Sequence, residues 1–262
     1  MKAPGLKAMV LAAGLGTRLR PLTDDRPKAL VEVAGRTMLE ITLTRLREFG
    51  IQNVIINVHH FADKLLDYLK AANNFGMHIE ISREEVLLDT GGGLKQAGWF
   101  FTESEASAAN TGSTNTDAPF ILHNVDIISS IDLRLMLQFH NEHQALATLA
   151  VQQRKTSRYL IFDDQHQLCG RRTVSEQKTE MVRSAKQATE AAFTGIHIIS
   201  PRIFPLLKEE GIFSIIPAYL RLAEQGEKIL AFKADAYYWR DLGKPENIKQ
   251  AEEDIAAKLI TG

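Results

Sequence analysis

Apolar runs and helical spacings alternate along the first 150 residues of this chain. Residues 6–12 form a continuous apolar run of strand length, ending at a glycine-rich turn. Thr37 and Glu40 stand at capping-box spacing. Leu39, Leu43, Leu46 and Phe49 then recur at helical intervals until Gly50, so a helix is predicted there. "NVIINV" at 53–58 predicts a strand and residues 61–73 an amphipathic helix. "HIEIS" at 78–82 predicts another strand, with a helix following the glycine run at 91–93. Strands at 119–126 and 146–152 flank a helix that starts near 132.

Strands that alternate with helices argue an α/β architecture: a Rossmann-like, mainly parallel sheet flanked by helices. Beyond about residue 150 the pattern changes to short strands at 158–164, 167–172, 192–200, 228–234 and 237–243, with helices near 213–225 and 244–258. This half reads as a smaller mixed β lobe on the same domain, since no linker composition separates it. The expectation is one domain over 1–262, with a core at 1–150 and the lobe at 151–262. Residues 102–118, rich in Ser, Thr, Ala and Asn, read as a flexible surface insertion without function. The polar stretch 171–180 reads as mobile. No internal repeat is visible.

Composition narrows the setting. The chain has 262 residues, 45% of them hydrophobic, enough for a substantial core. A formal net charge of −1 excludes nucleic acid as a bulk partner. The single cysteine, Cys169, forms no intrachain disulfide and suits a small buried hydrophobe; the expected location is the cytoplasm. Lys2, Lys7 and the run Ala8–Leu15 faintly imitate a signal peptide, but Arg18 and Arg20 follow at once and a buried strand explains the run better. No run approaches a membrane span, and no membrane partner is expected.

Candidate chemistry starts at 10–30, "VLAAGLGTRLRPLTDDRPKAL". In open α/β sheets ligands sit at the carboxyl ends of strands, where both this loop and Asp126 fall. "GLGTRL" is no dinucleotide fingerprint, because Leu19 replaces the third glycine and Pro21 and Pro27 favour an extended loop. Nor is it a Walker loop, which needs Gly-Lys-Ser/Thr. What remains is a strand-end turn whose amides approach an anion, with Arg18 and Lys28 reaching the same group; a triphosphate is the natural ligand.

The same stretch resembles the signature of the sugar-1-phosphate nucleotidylyltransferases, Gly-x-Gly-Thr-Arg-Leu-x-Pro-Leu-Thr followed by Pro-Lys-x-Leu. Gly14, Gly16, Thr17, Arg18, Leu19, Pro21, Leu22, Thr23, Pro27, Lys28 and Leu30 all match. "LLDTGGGLKQA" (87–97), "FILHNVDII" (120–128), "FTGIHII" (193–199) and "WRDLGKPENI" (239–248) resemble further family segments, in the family's order. The resemblance implies a GT-A-like nucleotidyltransferase fold. It implies transfer of a nucleoside monophosphate from an NTP to a sugar 1-phosphate, with release of pyrophosphate. It gives the nucleotide to Leu11, Ala12, Ala13, Gly14, Gly16, Thr17, Arg18, Glu85, Gly91 and Gly92. The sugar phosphate goes to Lys28, Asn124 and Gly195, and Mg²⁺ to Asp126 and Asp241. Arg18, Lys28 and Asp126 carry the catalytic role, Arg18 on the β- and γ-phosphates and Lys28 on the α-phosphate.

The chain departs from the family in three places. Val125 stands before Asp126 where relatives carry glycine. No Glu-Lys-Pro segment lies between 150 and 192, which leaves the sugar grip unassigned beyond Gly195. Glu85 faces the base only if one extra residue is absorbed; a carboxylate there would accept from guanine or uracil N–H groups and suit cytosine poorly. The chain looks most like the short N-acetylmuramate-1-phosphate uridylyltransferases and the mannose- or heptose-1-phosphate guanylyltransferases. A non-catalytic sugar-nucleotide-binding subunit and a phosphocholine cytidylyltransferase are the alternatives; the latter would need an aromatic cage, for which Tyr238 and Trp239 are candidates. His59 and His60 are adjacent on a strand end and point apart, so no metal site is expected of them; His123 reads as structurally satisfied. A homo-oligomer is left open.

Overall fold

β1 (Lys7–Leu11) is apolar on both faces, and so it is central. Ala8 and Val10 point into one hydrophobic cluster and Met9 into a second, each of them fully buried. A sheet with two covered faces produces this pattern. The structure, a computed structural model, describes residues 6–102 and 118–260; nearly all of the expected insertion at 102–118 lies outside them.

After β1 come the short strands β2 (Glu32–Val33) and β3 (Arg36–Thr37), then α1 (Met38–Glu48), β4 (Asn53–Val58), α2 (Ala62–Ala71) and β5 (His78–Arg83). α3 (Asp89–Gln96), α4 (Trp99–Thr102), β6 (Phe120–Asn124), β7 (Ile127–Ser129) and α5 (Leu133–His143) follow. The second half holds β8 (Ala147–Gln152), β9 (Arg158–Phe162), β10 (Leu168–Thr173), β11 (Lys178–Met181) and β12 (Thr189–Ile199). It ends with α6 (Ile215–Glu224), β13 (Ile229–Lys233), β14 (Trp239–Asp241) and α7 (Pro245–Ala256).

β5, β4, β1 and β6 lie side by side and parallel. α1, α2, α5 and α7 pack on one face, and α3, α4 and α6 on the other. The sheet continues through β12, which runs antiparallel to β6. β12 is 11 residues long and serves both halves: its last residues pair with β6 and β8, its first with β9. A register shift between Phe193 and His197 marks where it turns from one set of partners to the other. Beyond β9 the antiparallel strands β10 and β11 form the outer lobe.

Local chemistry explains most element ends. The Thr37 side chain accepts from the Glu40 amide at the start of α1, as the capping spacing predicts, and Gly50 follows the helix at φ 89°. Asp132 accepts from the amides of Arg134 and Leu135 and caps α5. Two expectations need correction. Residues 171–180 are a β-hairpin, β10–β11, tied by Arg171–Glu180, with Arg172 paired to Glu190 on β12. Exposed strands with paired charges read as a mobile polar loop because they carry no apolar face to recognise.

The glycine run at 91–93 does not precede a helix; it lies inside α3. Helical glycine is unfavourable by about 1 kcal/mol against alanine, and packing supplies the reason for it here. A Cβ on Gly91 would stand 2.3 Å from the Phe213 ring, and one on Gly92 2.4 Å from the Gly211 carbonyl. Both amides donate to the Phe213 carbonyl, at 2.9 and 3.1 Å. α3 is thus pressed against the segment that leads into α6.

Three histidines are buried neutral. His123, His140 and His197 are at most 3% exposed, and burial holds their pKa values down to about 4, 4 and 3. Unfolded histidine titrates near ~6.5. The unfolded chain therefore takes up protons that the folded chain refuses as pH falls from that value toward the folded values, and stability is lost across that window. Lowering the pH from 7 to 5 should cost roughly 2 kcal/mol per histidine. Urea midpoints would read this as a fall, and a midpoint that rises would show the rings to be protonated in the folded state.

Candidate active site

β1, β4 and β6 end at the same edge of the sheet, and a cleft of about 370 Å³ opens there. Its walls include Leu11, Ala12, Ala13, Gly14, Lys28, Asn124 and Asp126. That volume lies in the range of small-molecule sites. After Gly14 the chain forms a loop, not a helix. Gly16 sits at φ 65°, its carbonyl accepting from Thr23 Oγ1 at 2.9 Å, and fully buried Leu19 anchors the turn that carries Thr17 and Arg18.

The loop's cations divide into two kinds. Arg20 pairs with Asp24 and Arg26 with Asp25, both on the exposed surface. Lys28 turns inward, its ammonium bonded to the Asp126 carboxylate, each side chain less than one fifth exposed. Arg18 is exposed and forms no salt bridge among the described residues.

Asp241 reaches the same place from β14. Its strand pairs antiparallel with β7, placing Asp241 opposite Ile127, and the Leu242 amide donates to the Asp126 carbonyl at 2.8 Å. Asp241 Oδ1 accepts from the Gly243 amide at 2.6 Å. A Cβ on Gly243 would meet Arg18 Nη2 and Asp241 Oδ1, each at 2.7 Å, so guanidinium and carboxylate flank one glycine. Two carboxylates on adjoining backbone are hard oxygen donors of the kind Mg²⁺ takes, and their chemistry fits that ion. Among the described residues, no group of three or more His, Cys, Asp or Glu side chains gathers to hold a metal.

The opposite wall differs from expectation. Glu85 is exposed and does not line the cleft; Glu84, 3% exposed, does. Alternation from buried Ser82 on β5 identifies Glu84 as the inward position. Its carboxylate is occupied: Oε1 accepts from Asn57 Nδ2 at 2.7 Å and Oε2 from the Leu88 amide at 2.9 Å. Asn57 Oδ1 in turn accepts from the Ala12 amide at 2.8 Å. Gly91 and Gly92 are buried with their amides spent on Phe213, so they offer no donor to a ligand. Leu87, Asp89 and Thr90 line the cleft instead. Asn57 was overlooked in the sequence; a lone amide at the end of an apolar strand was its only signal.

Asn124 lines the cleft, and its Nδ2 comes within 2.8 Å of where a Gly195 Cβ would stand. Gly195 is therefore needed for β12 to pass Asn124 closely. Val125 buries its side chain in the core and donates its amide to the Leu11 carbonyl at 3.1 Å. His59 is bonded through Nδ1 to the Glu84 carbonyl, and His123 through Nδ1 to its neighbour's carbonyl; contrary to expectation His123 is only half satisfied, its buried Nε2 having no partner in a core packed with apolar side chains. Cys169 is buried, and burial raises its thiol pKa.

A glycine turn, two aspartates on adjoining backbone and a cleft at the carboxyl edge of a parallel sheet define an α/β protein with a polar, charged strand-end site. The nucleotidyl transferase family model matches residues 7–258. N-acetylmuramate alpha-1-phosphate uridylyltransferase of Caulobacter vibrioides is 34% identical over 95% of this chain and 96% of its own length. Mannose-1-phosphate guanyltransferase of Candida albicans is 28% identical over 92% of this chain, which spans 62% of that longer protein. Among solved structures, a putative glucose-1-phosphate thymidylyltransferase from Bacillus anthracis in complex with a sucrose superposes with a TM-score of 0.77 at 16% identity, covering 98% of this chain and 97% of that one. HddC from Yersinia pseudotuberculosis, complexed with GMP-PN, gives 0.69 at 22% identity over 95% and 99%. The chain belongs to the nucleotidyl transferase family, among its sugar-1-phosphate nucleotidylyltransferases. No helix of the described residues is long and apolar enough to cross a membrane.

The Glu84–Asn57–Ala12 chain yields a test. A carboxylate accepts only, which fixes Asn57 with its amide nitrogen toward Glu84 and its oxygen toward Ala12. In Glu84→Gln the new amide keeps one acceptor for two donors, so a buried partner is left unpaired. The variant should lose about 1–3 kcal/mol of stability and bind nucleoside triphosphate more weakly. Urea melts and nucleotide titration would show both, and a variant unchanged in both would remove the positioning role of Glu84.

Proposed function

We propose that this protein transfers a uridylyl or guanylyl group from UTP or GTP to a sugar 1-phosphate, with N-acetylmuramate 1-phosphate the first acceptor to try. The observation that carries the reading is the Lys28–Asp126 pair in the cleft wall, with Asp241 and Arg18 gathered around Gly243 on the adjoining backbone. The Caulobacter relative, similar over almost its whole length, favours the uridylyl arm. A carboxylate beside the base suits uracil or guanine. With Glu85 turned to solvent, Asp89 fills that place, held on the cleft wall at φ 60°.

In this reading the acceptor's phosphate oxygen attacks the α-phosphorus in line. The bond from the α-phosphorus to the bridging oxygen breaks, and pyrophosphate leaves with that electron pair. The nucleophile is already an anion, so no general base is needed. The barrier is charge, and fixed groups aimed at developing charge reduce it. The backbone from Leu11 to Gly14, with Gly16 and Thr17, cradles the nucleotide. Arg18 holds the outer phosphates. Lys28 leaves Asp126 to neutralise the α-phosphate and the incoming phosphate. Asp126 and Asp241 would hold Mg²⁺, which when bound screens phosphate charge. Asn124 and Gly195 border the acceptor.

A phosphocholine acceptor fits less well. The indole of Trp239 already carries Arg154, whose guanidinium carbon stands 3.7 Å from the ring centroid, and the Tyr238 hydroxyl donates to Asp254 at 2.6 Å. Neither ring is free to cage a quaternary ammonium.

Pyrophosphate release with Mg²⁺, measured for five nucleoside triphosphates against mannose, glucose, N-acetylmuramate and heptose 1-phosphates and phosphocholine, tests the proposal. Turnover is expected for UTP or GTP with one sugar 1-phosphate, and Asp126→Ala or Lys28→Met should reduce it roughly 10²–10³-fold. Silence across the panel with nucleotide binding intact would mean a sugar-nucleotide-binding subunit instead.

A further inference from the structure

The family's usual sugar grip is missing from 150–192, yet one cation in that stretch is fixed next to β14, the strand that carries Asp241. Arg154 follows β8 and folds back over β12 and β14. Its guanidinium lies on the face of Trp239, 3.7 Å from the ring centroid, and its Nη2 donates to the Phe193 carbonyl at 2.8 Å. Trp239 is itself fixed, donating Nε1 to the Thr194 carbonyl at 2.8 Å. Arginine and indole are therefore moored to consecutive residues of β12, immediately before Gly195.

This position adjoins Asp241 and Gly195. Trp239 and Asp241 are two apart on one strand, so both side chains project from the same face of β14. Arg154 feels the Asp241 charge, and that attraction opposes the burial that lowers its pKa. Gly195 meets Asn124 at the cleft wall. Arg18, from the loop after β1, reaches Gly243 just beyond Asp241.

The guanidinium is only partly satisfied. Nε is buried without a partner and Nη2 serves Phe193. Nη1 is neither sealed from solvent nor bonded to a described residue. No carboxylate is bonded to this arginine, unlike Arg171, Arg172, Arg221 and Arg240, each of which pairs with one. One face is covered by indole, one edge is fixed, and the remaining nitrogen is free to donate in the ring plane. That arrangement suits a planar or tetrahedral oxyanion. Arg45 and Arg183 likewise bond a backbone carbonyl and no carboxylate; what sets Arg154 apart is the indole stacked on its guanidinium beside Asp241.

Resting on the sugar-1-phosphate acceptor proposed above, we propose that Arg154, held on Trp239, binds an anionic oxygen group of the acceptor and selects for acceptors that carry it. Two groups have this chemistry: the 1-phosphate that every acceptor brings, and a carboxylate on the sugar, such as the lactyl group that distinguishes N-acetylmuramate from N-acetylglucosamine.

Arg154→Met and Arg154→Lys would be compared with the unaltered protein, using UTP and Mg²⁺ with N-acetylmuramate 1-phosphate and N-acetylglucosamine 1-phosphate. In Arg154→Met the acceptor KM should rise roughly tenfold to a hundredfold, the value of a charge-assisted hydrogen bond. The KM for UTP and the melting temperature should hold, which separates acceptor binding from a folding defect. Arg154→Lys keeps the charge and should recover part of the loss. A rise confined to N-acetylmuramate 1-phosphate assigns Arg154 to the carboxylate, and an equal rise for both assigns it to the phosphate. Unchanged acceptor KM values in a folded Arg154→Met protein would overturn the proposal. If no acceptor turns over, the transferase reading is what fails. Calorimetric titration of the same two sugar phosphates into unaltered and Arg154→Met protein then decides the Arg154 assignment: equal affinities would sink it, and weaker binding by the variant would uphold it.

Discussion

The bond between Lys28 and Asp126 joins residues 98 positions apart and ties the loop after β1 to the turn after β6. Lys28 sits where the loop after β1 returns to the sheet, and Asp126 in the turn between β6 and β7. Both side chains are mostly buried, and a buried charge without a counter-charge costs several kcal/mol. Each therefore needs the other while the cleft holds no ligand. A triphosphate offers Lys28 another anion, and a divalent cation offers Asp126 another counter-charge. In the proposed reaction the pair is charge-balanced, and the two reactants would divide it between them.

That division depends on the strand ends staying in register. Ala12 leaves the sheet at the point where the phosphate loop begins, and its amide is caught by Asn57 on the neighbouring strand. Glu84 holds Asn57 and, through the Leu88 amide, the segment that lines the base side of the cleft. Gly93 is required above them, since a Cβ there would stand 2.6 Å from the Glu84 carboxylate and 2.9 Å from Asn57. The three glycines of α3 thus serve packing and a buried polar chain.

Much of this fold was legible because it is written in local periodicity. The apolar runs at 53–58 and 119–126 and the helical spacing after Thr37 each report burial directly, and strands and helix stand where they predict. The phosphate loop was legible for a different reason: glycines, prolines and cations at fixed offsets have few alternative uses. What stayed hidden depends on contacts distant in sequence. Phe213 over Gly91 turns an apparent loop into a helix. Glu84 and Glu85 differ by one position, and only the pleat of β5 says which faces inward. The polar hairpin at 171–180 owes its order to partners on β9 and β12, which its own composition does not announce.

The placing of arginines carries the functional reasoning further than motif matching does. Arg20 and Arg26 have carboxylates beside them in the loop, and Arg240 bonds Asp254 at 2.6 Å. These charges are answered within the protein and have little left to offer an anion. Arg18 and Arg154 bond no carboxylate, one lying near Gly243 and the other over Trp239. The first is exposed and adaptable, as suits the terminal phosphates of a nucleotide that must enter and then depart as pyrophosphate. The second is stacked and pinned, so it loses little freedom on binding and discriminates by geometry. In the proposed reaction the pinned cation would select the acceptor by geometry, and the exposed one would follow the nucleotide's outer phosphates as they enter and leave.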